Sequence, residues 1–259
     1  MLLALNVNNT ETKLGLFRDE SLETYWRLTT LPSRTPDEWS SAITSYLAQA
    51  GRSTQEVRAA IVGSVVPQMT QSLCEGVERA TTVRPSVVDG RSPLPIKLDV
   101  EEPLTVGADR ILNTLAASHL FRQDTIVVDF GTATTFDCIT GDGRFIGGVI
   151  MPGIRTASDA LVSRTAKLPA TELTPPERVI GRRTEDCIRA GVLWGTAEAV
   201  DGLVRRIKAE WPGGKSPMVV ATGGLASLVT GLTREIESVH PDLTLVGLRL
   251  AAAALGLRW

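Results

Sequence analysis

A two-lobed α/β protein is the fold class the sequence predicts, and three observations carry that prediction. The chain has 259 residues, 43% hydrophobic and 22% charged, enough apolar material for one large core or two medium ones. A strand, tight turn and strand open the chain, and a second such unit begins at Thr125. Helical apolar periodicity fills most of the remainder.

Each element has its own signal. Leu2, Leu3, Leu5 and Val7 lead into Asn8-Asn9, after which Leu14 and Leu16 resume the alternation of a strand. A helix follows Pro36, with Trp39, Ile43, Tyr46 and Leu47 on one face. Residues 59–66 form a β-branched run that reads as a buried strand, and the proline-rich residues 86–98 read as loop. Gly107 precedes a helix striped by Ile111, Leu112, Leu115, Ala116 and Leu120, with Asp109 and Asn113 off the stripe. In the second unit, TIVVDFGTATTFDCIT, Asp129 falls on Asn6, Gly131 on Asn8 and Thr132 on Asn9. Gly147-Gly148 and residues 151–153 read as turns. A long helix spans residues 184–211, interrupted or closely packed at Gly191, Gly195 and Gly202. MVVATGG reads as a strand ending in a glycine turn at Gly223-Gly224, with a helix-like LASLVTGL behind it. The chain closes on a helix from Leu243. These assignments place one lobe at residues 1–118 and the other at 119–259.

Charge and cysteine content exclude several functions. A formal net charge of −2 provides no basic field for nucleic acid and no polybasic membrane anchor. Cys74, Cys138 and Cys187 are scattered, without zinc or disulfide spacing, so they read as thiols in a reducing compartment. The apolar start is too short for a signal peptide and no run approaches membrane-spanning length, so a cytoplasmic protein is expected.

Four places could carry chemistry. Asp129-Phe130-Gly131-Thr132 ends an apolar strand; its amides and hydroxyls suit phosphate oxygens and its carboxylate suits a cation, while an ordinary hairpin turn explains the same residues equally well. The Gly223-Gly224 turn could lie against a nucleotide or against nothing. Asp109 is either a helix-start carboxylate whose pKa the dipole lowers, or a base for a substrate hydroxyl with Arg110 pairing an anion. Thr184, followed by Glu185 and Asp186, has the pattern of a helix N-cap.

GADR at 107–110, DFGTATTFD at 129–137, GGVIMPGI at 147–154, AKLP at 166–169, VIGRRT at 179–184, TGGLASL at 222–228 and LTLVGLRL at 243–250 occur together and in order. In this combination the chain resembles the type III pantothenate kinases. The resemblance implies two RNase H-like lobes of the actin-like ATPase fold and a homodimer. It also implies ATP with Mg²⁺ or another divalent cation, and K⁺ or NH₄⁺. The implied reaction is phosphorylation of pantothenate to 4′-phosphopantothenate, which opens coenzyme A synthesis. Carried over residue by residue, ATP contacts fall on Asn6, Asn8, Asn9, Thr10, Lys13, Thr132, Gly223 and Gly224. The catalytic base falls on Asp109, pantothenate contacts on Gly107, Ala108, Asp109, Arg110 and a partner-supplied Thr184, and the monovalent-cation ligand on Asp129.

The first hairpin departs from the family's Asp-x-Gly-Asn-Thr, reading Asn6-Val7-Asn8-Asn9-Thr10, and Leu98 stands where the family places a tyrosine. Asparagine lacks the carboxylate charge that hydrated Mg²⁺ prefers, and a side chain at position 8 crowds phosphate. Two functions follow: a pantothenate kinase weakened at Asn6 and Asn8, or a pseudokinase or regulatory protein that binds nucleotide or pantothenate without turnover. Another actin-like phosphotransferase, such as a sugar kinase, is disfavoured by GADR and VIGRRT.

Overall fold

The computed structural model describes residues 1–259. In chain order its strands and helices are β1 (Leu2–Val7), β2 (Glu11–Arg18), β3 (Ser21–Thr29), α1 (Pro36–Gln49), β4 (Ala59–Ser64), α2 (Pro67–Thr81), β5 (Ser86–Val88), β6 (Lys97–Leu98), α3 (Ala108–Phe121), β7 (Thr125–Phe130), β8 (Ala133–Ile139), β9 (Arg144–Pro152), α4 (Ile154–Arg164), α5 (Thr184–Glu210), β10 (Met218–Thr222), β11 (Ser238–Val239) and α6 (Leu243–Ala254). They divide into two compact units, one of Met1–His119 with Leu243–Trp259, the other of Leu120–Asp242.

The first unit is built on a sheet in the order β3-β2-β1-β4-β5. β1 is antiparallel to β2 and parallel to β4. It is buried on both faces, so its residues read as a nearly continuous apolar run. Leu3, Leu5 and Val7 face a core with Trp39, Ile43 and Leu47 of α1 and Met69, Leu73 and Val77 of α2. Leu2 and Ala4 face the opposite core, with Ile111, Leu112 and Leu115 of α3 and Leu245, Leu248 and Ala251 of α6. Strand β3 is an edge, alternately exposed along its length.

The second unit repeats the plan. β7 is antiparallel to β8, β8 is antiparallel to β9, and β7 and β11 run parallel to β10 on either side of it. The order β9-β8-β7-β10-β11 therefore mirrors β3-β2-β1-β4-β5, and the echo read from sequence is an architectural repeat. Asn6 and Asp129 occupy the same place, fifth of six residues in β1 and β7. Ile126, Val128 and Phe130 of this sheet share a core with Ile154 of α4 and Ile188, Val192, Leu193 and Val200 of α5.

Several expectations need correction. The final helix belongs with the first unit, so the lobe expected over 119–259 loses Leu243–Trp259. The cause is packing: Leu245, Leu248, Ala251 and Ala252 share the core of Leu2, Ala4 and Ile61, and Thr244 donates to the Asn113 side chain at 3.0 Å. Asn113 is accordingly a buried structural residue, not one facing a ligand. The turn expected at Gly147-Gly148 is interior to β9; Gly147, at φ 119°, lies beside a register shift opposite Cys138 and Ile139. The helix expected behind Gly224 is only a short 3₁₀ turn, Ala226–Leu228. Residues 86–98, expected as loop, contain β5 and β6.

Candidate functional site

The first hairpin sets a row of residues across its sheet. Asn6 lies directly opposite Lys13 on β2 and opposite Gly63 on β4. Both Asn6 and Lys13 are buried, and the connecting Asn9-Thr10 tip is exposed. The turn is closed by Asn8 N donating to Glu11 O at 3.1 Å, and by Thr30, whose hydroxyl donates to Asn8 O at 2.6 Å. Asn8 does not adopt a left-handed conformation; the only non-glycine residues that do are Asp19, Thr82 and Arg122. A side chain at position 8 therefore costs the backbone nothing, although the Asn8 Oδ1 atom is buried without a hydrogen-bond partner. An acceptor left in that state is destabilising by about 1–3 kcal/mol.

The start of α3 stands over the same row. A Cβ added to Gly63 would lie 3.8 Å from the Ala108 Cβ, and Val65 N donates to Val7 O at 3.0 Å. Ala108 is buried, so its methyl group packs inward and only its backbone is available to a ligand. Asp109 is half-buried and its Oδ1 accepts from Arg110 N at 2.8 Å. Gly107 is the residue that permits this: a Cβ there would sit 2.5 Å from Asp109 Oδ1. Burial pushes the Asp109 pKa above its ordinary value, against the Arg110 amide and guanidinium, which pull it down. The expectation of a dipole-lowered pKa is thus overturned, because desolvation outweighs the helix-start amides.

In the second unit, two motifs that were separate in sequence meet. Thr222 at the end of β10 pairs with Asp129 on β7. Gly223, at φ 95°, presses so closely on β7 that a Cβ would fall 2.5 Å from Asp129 Oδ1 and 2.6 Å from Phe130 N. Leu225 N then donates to Phe130 O at 3.2 Å, and Gly224 is exposed at the turn. The second hairpin is shorter than the first, with Gly131–Ala133 between paired Phe130 and Thr134 where the first has Asn8–Glu11. Thr132 is exposed at its tip, and its carbonyl accepts from Gly153 N at 3.1 Å and from the Thr156 hydroxyl at 2.6 Å. Gly131 has neither a positive φ nor a crowded Cβ position, so the protein's own packing does not demand glycine there. The Thr134 hydroxyl is buried without a partner.

Thr184 does not cap its helix. Arg183 holds the N-cap position with no side-chain hydrogen bond, and Thr184 is the exposed first residue of α5. The preceding residues fold against this first turn, since a Cβ on Gly181 would meet Cys187 N at 2.6 Å. No group of three or more His, Cys, Asp or Glu side chains gathers to hold a metal ion. No helix is long and apolar enough to cross a membrane.

Sequence reasoning did not assign β3, which carries Tyr25 and Arg27. The available signal was alternation within SLETYWRLT, where the less exposed Leu22, Thr24, Trp26 and Leu28 interleave with the exposed Glu23, Tyr25 and Arg27. Arg27 pairs directly with Lys13 and so extends the row from Gly63 and Asn6.

Two sheets that share a five-strand order, each built around a hairpin with polar residues at its tip, define an actin-like ATPase fold. A ROK hexokinase from Thermus thermophilus shares that fold with a TM-score of 0.50, at 15% identity and over 97% of each chain. The family model for type III pantothenate kinase matches residues 2–206. A type III pantothenate kinase of Thermomicrobium roseum is 44% identical over 97% of this chain and 96% of its own. One from Moorella thermoacetica is 42% identical over 96% and 98% respectively. The chain belongs to the type III pantothenate kinase family.

Proposed function

We propose that the protein transfers the γ-phosphoryl group of ATP to the primary hydroxyl of pantothenate, giving 4′-phosphopantothenate. The observation that carries this reading is Asp109: a carboxylate at the start of α3, held by the Arg110 amide and given raised proton affinity by burial. A base so tuned is better matched to accepting the hydroxyl proton than an ordinary surface aspartate. Arg110, beside it, suits the pantothenate carboxylate. Gly107 keeps the Asp109 carboxylate folded over the helix start, and Ala108 contributes backbone alone.

ATP contacts are assigned to Asn6, Asn8, Asn9, Thr10 and Lys13 in the first unit and to Thr132, Gly223 and Gly224 in the second. The buried, unpartnered Asn8 oxygen and Thr134 hydroxyl support polar ligands at both hairpins, as does the uncrowded Gly131. A divalent cation neutralises phosphate charge during transfer. That ion would arrive with the nucleotide, held by its phosphates and by water. Asp129 offers its carboxylate to K⁺ or NH₄⁺. Thr184 is assigned to a pantothenate site completed by a second copy of the chain.

The test is direct. Purified protein with pantothenate, Mg-ATP and K⁺ should form 4′-phosphopantothenate by mass spectrometry, with the rate falling when Na⁺ replaces K⁺. Nucleotide binding without product would instead favour a pseudokinase, the reading that the neutral Asn6 supports. Equal rates in the two salts would remove Asp129 as the monovalent-cation ligand.

A further inference from the structure

The groove between α1 and β3 lies in the first unit, on the face of its sheet opposite α3 and Asp109. It is a cavity of about 430 Å³ walled by Leu28, Ala42 and Tyr46, with Arg34, Glu38 and Ser41 along it. Tyr46 stacks on Trp26 with ring centroids 5.5 Å apart, which fixes the aromatic part of the wall. Arg34 lies with its Cζ 4.6 Å from the centroid of the Trp39 ring. In this pair two N–H donors, Arg34 Nη1 and Trp39 Nε1, are buried without a hydrogen-bond acceptor. Buried donors are nearly always satisfied, and a charged one left unmade is the costlier case, so this place is short of an acceptor.

The surrounding chain does not supply one. Trp39 is fully buried, and α2 holds it from behind, since a Cβ on Gly76 would collide with the Trp39 Cβ. Glu38 Oε2 accepts from the Thr35 amide at 2.7 Å and from the Thr35 hydroxyl at 3.0 Å, which commits it to the cap of α1. Asp37 is paired with Arg79 at 2.5 Å. An anion entering the groove meets both of these carboxylates at its rim, so a single charge is favoured over a phosphate dianion. The apolar wall in turn calls for carbon behind the charged head. We infer that this groove binds a small organic acid, its carboxylate accepting from Arg34 Nη1 and Trp39 Nε1 and its apolar or aromatic body lying against Leu28, Ala42 and Tyr46.

The full chain, with ¹⁵N in its tryptophan indoles, tests this by NMR titration with 3-phenylpropionate and with hexanoate. Pantothenate is kept at saturation, so that a carboxylate site at Arg110 is already filled. The Trp39 indole N–H peak, identified by its loss in Trp39→Phe, should move downfield as that donor gains an acceptor. The neutral 3-phenylpropionamide should bind about 10-fold more weakly than the acid, the scale of a lost charge-assisted hydrogen bond. Arg34→Gln should weaken both acids by a similar factor while holding the Tm of the ligand-free protein. Ala42→Leu, which fills the wall and leaves Arg34 in place, should weaken them as well, so the outcome does not hang on one variant's folding. The inference is overturned if neither acid moves the Trp39 peak up to about 10 mM, beyond which an affinity has no specific meaning. It is equally overturned if the amide binds as well as the acid, or if both acids bind Arg34→Gln and Ala42→Leu as they bind the parent.

Discussion

At the scale of a single residue, Asp109 shows how burial and a helix start compete for one proton. The amide of Arg110 favours the carboxylate, but the loss of water around it favours the neutral acid, and burial prevails. A folded-state pKa above the unfolded one means the folded protein binds more protons in the window between the two. The resulting penalty is fully present above the folded pKa and disappears as pH falls below the ordinary aspartate value. Asp109→Asn should therefore raise the Tm at neutral pH, with the advantage shrinking on acidification through that window. Turnover should fall by roughly 10²–10⁴ if the carboxylate takes the hydroxyl proton, with ATP affinity little changed. The acidic limb of the wild-type pH–rate profile should lie above the pH expected of an exposed aspartate. Unchanged turnover in the variant would reduce Asp109 to a residue that only shapes the helix start.

At the scale of an element, the two hairpins are internal controls for each other. Asp129 and Gly131 in the second stand where Asn6 and Asn8 stand in the first, on strands of equal length and equivalent neighbours. Asn6→Asp with Asn8→Gly converts the first hairpin to the pattern of the second. If the first hairpin binds the metal-bearing phosphates, the double variant should gain about 10²–10³ in rate, the scale of one well-placed electrostatic group. Asn6→Asp alone should recover part of that. Stability should change little, because glycine at position 8 costs up to about 1 kcal/mol in backbone entropy while removing the unpartnered Asn8 oxygen recovers a comparable amount. Kinase assays and melts on the parent, both single variants and the double variant check this. A double variant no faster than the parent would show that Asn6 and Asn8 do not limit the reaction and would turn attention to Leu98.

For the whole molecule, α5 bears on assembly. It runs unbroken from Thr184 to Glu210, and Gly191, Gly195 and Gly202 share one face of it. A Cβ at any of the three would meet nothing within 4 Å, so these glycines are not required by packing inside the chain. A face without side chains lets another helix approach closely, which suits a symmetric homodimer through α5 with Thr184 at its end. Sedimentation at micromolar concentration should give a dimer, and Gly195→Leu should shift it towards monomer with loss of pantothenate affinity. A wild-type monomer that still turns over would remove the shared site.

Much of the fold was legible in the chain. Alternation marked β1, β2, β7 and β8, the apolar stripe marked α3, and the last long helix before MVVATGG was read to within one residue of Thr184–Glu210. Motif order carried the family. Less legible was β3, an edge strand whose outward residues are polar, and with it Tyr25 and Arg27. The Asp109 pKa was misread because a sequence displays the helix dipole but not the atoms that exclude water.

Local sequence determined which segments become strands and helices and that one hairpin plan is used twice, because periodicity and turn chemistry act within a few residues. Only the tertiary structure decided that α6 packs on β1 and α3, that Gly223 meets Asp129, and that Arg27 lies opposite Lys13. Those outcomes depend on register and on which apolar face finds which, and such pairings are settled by packing between residues distant in the chain.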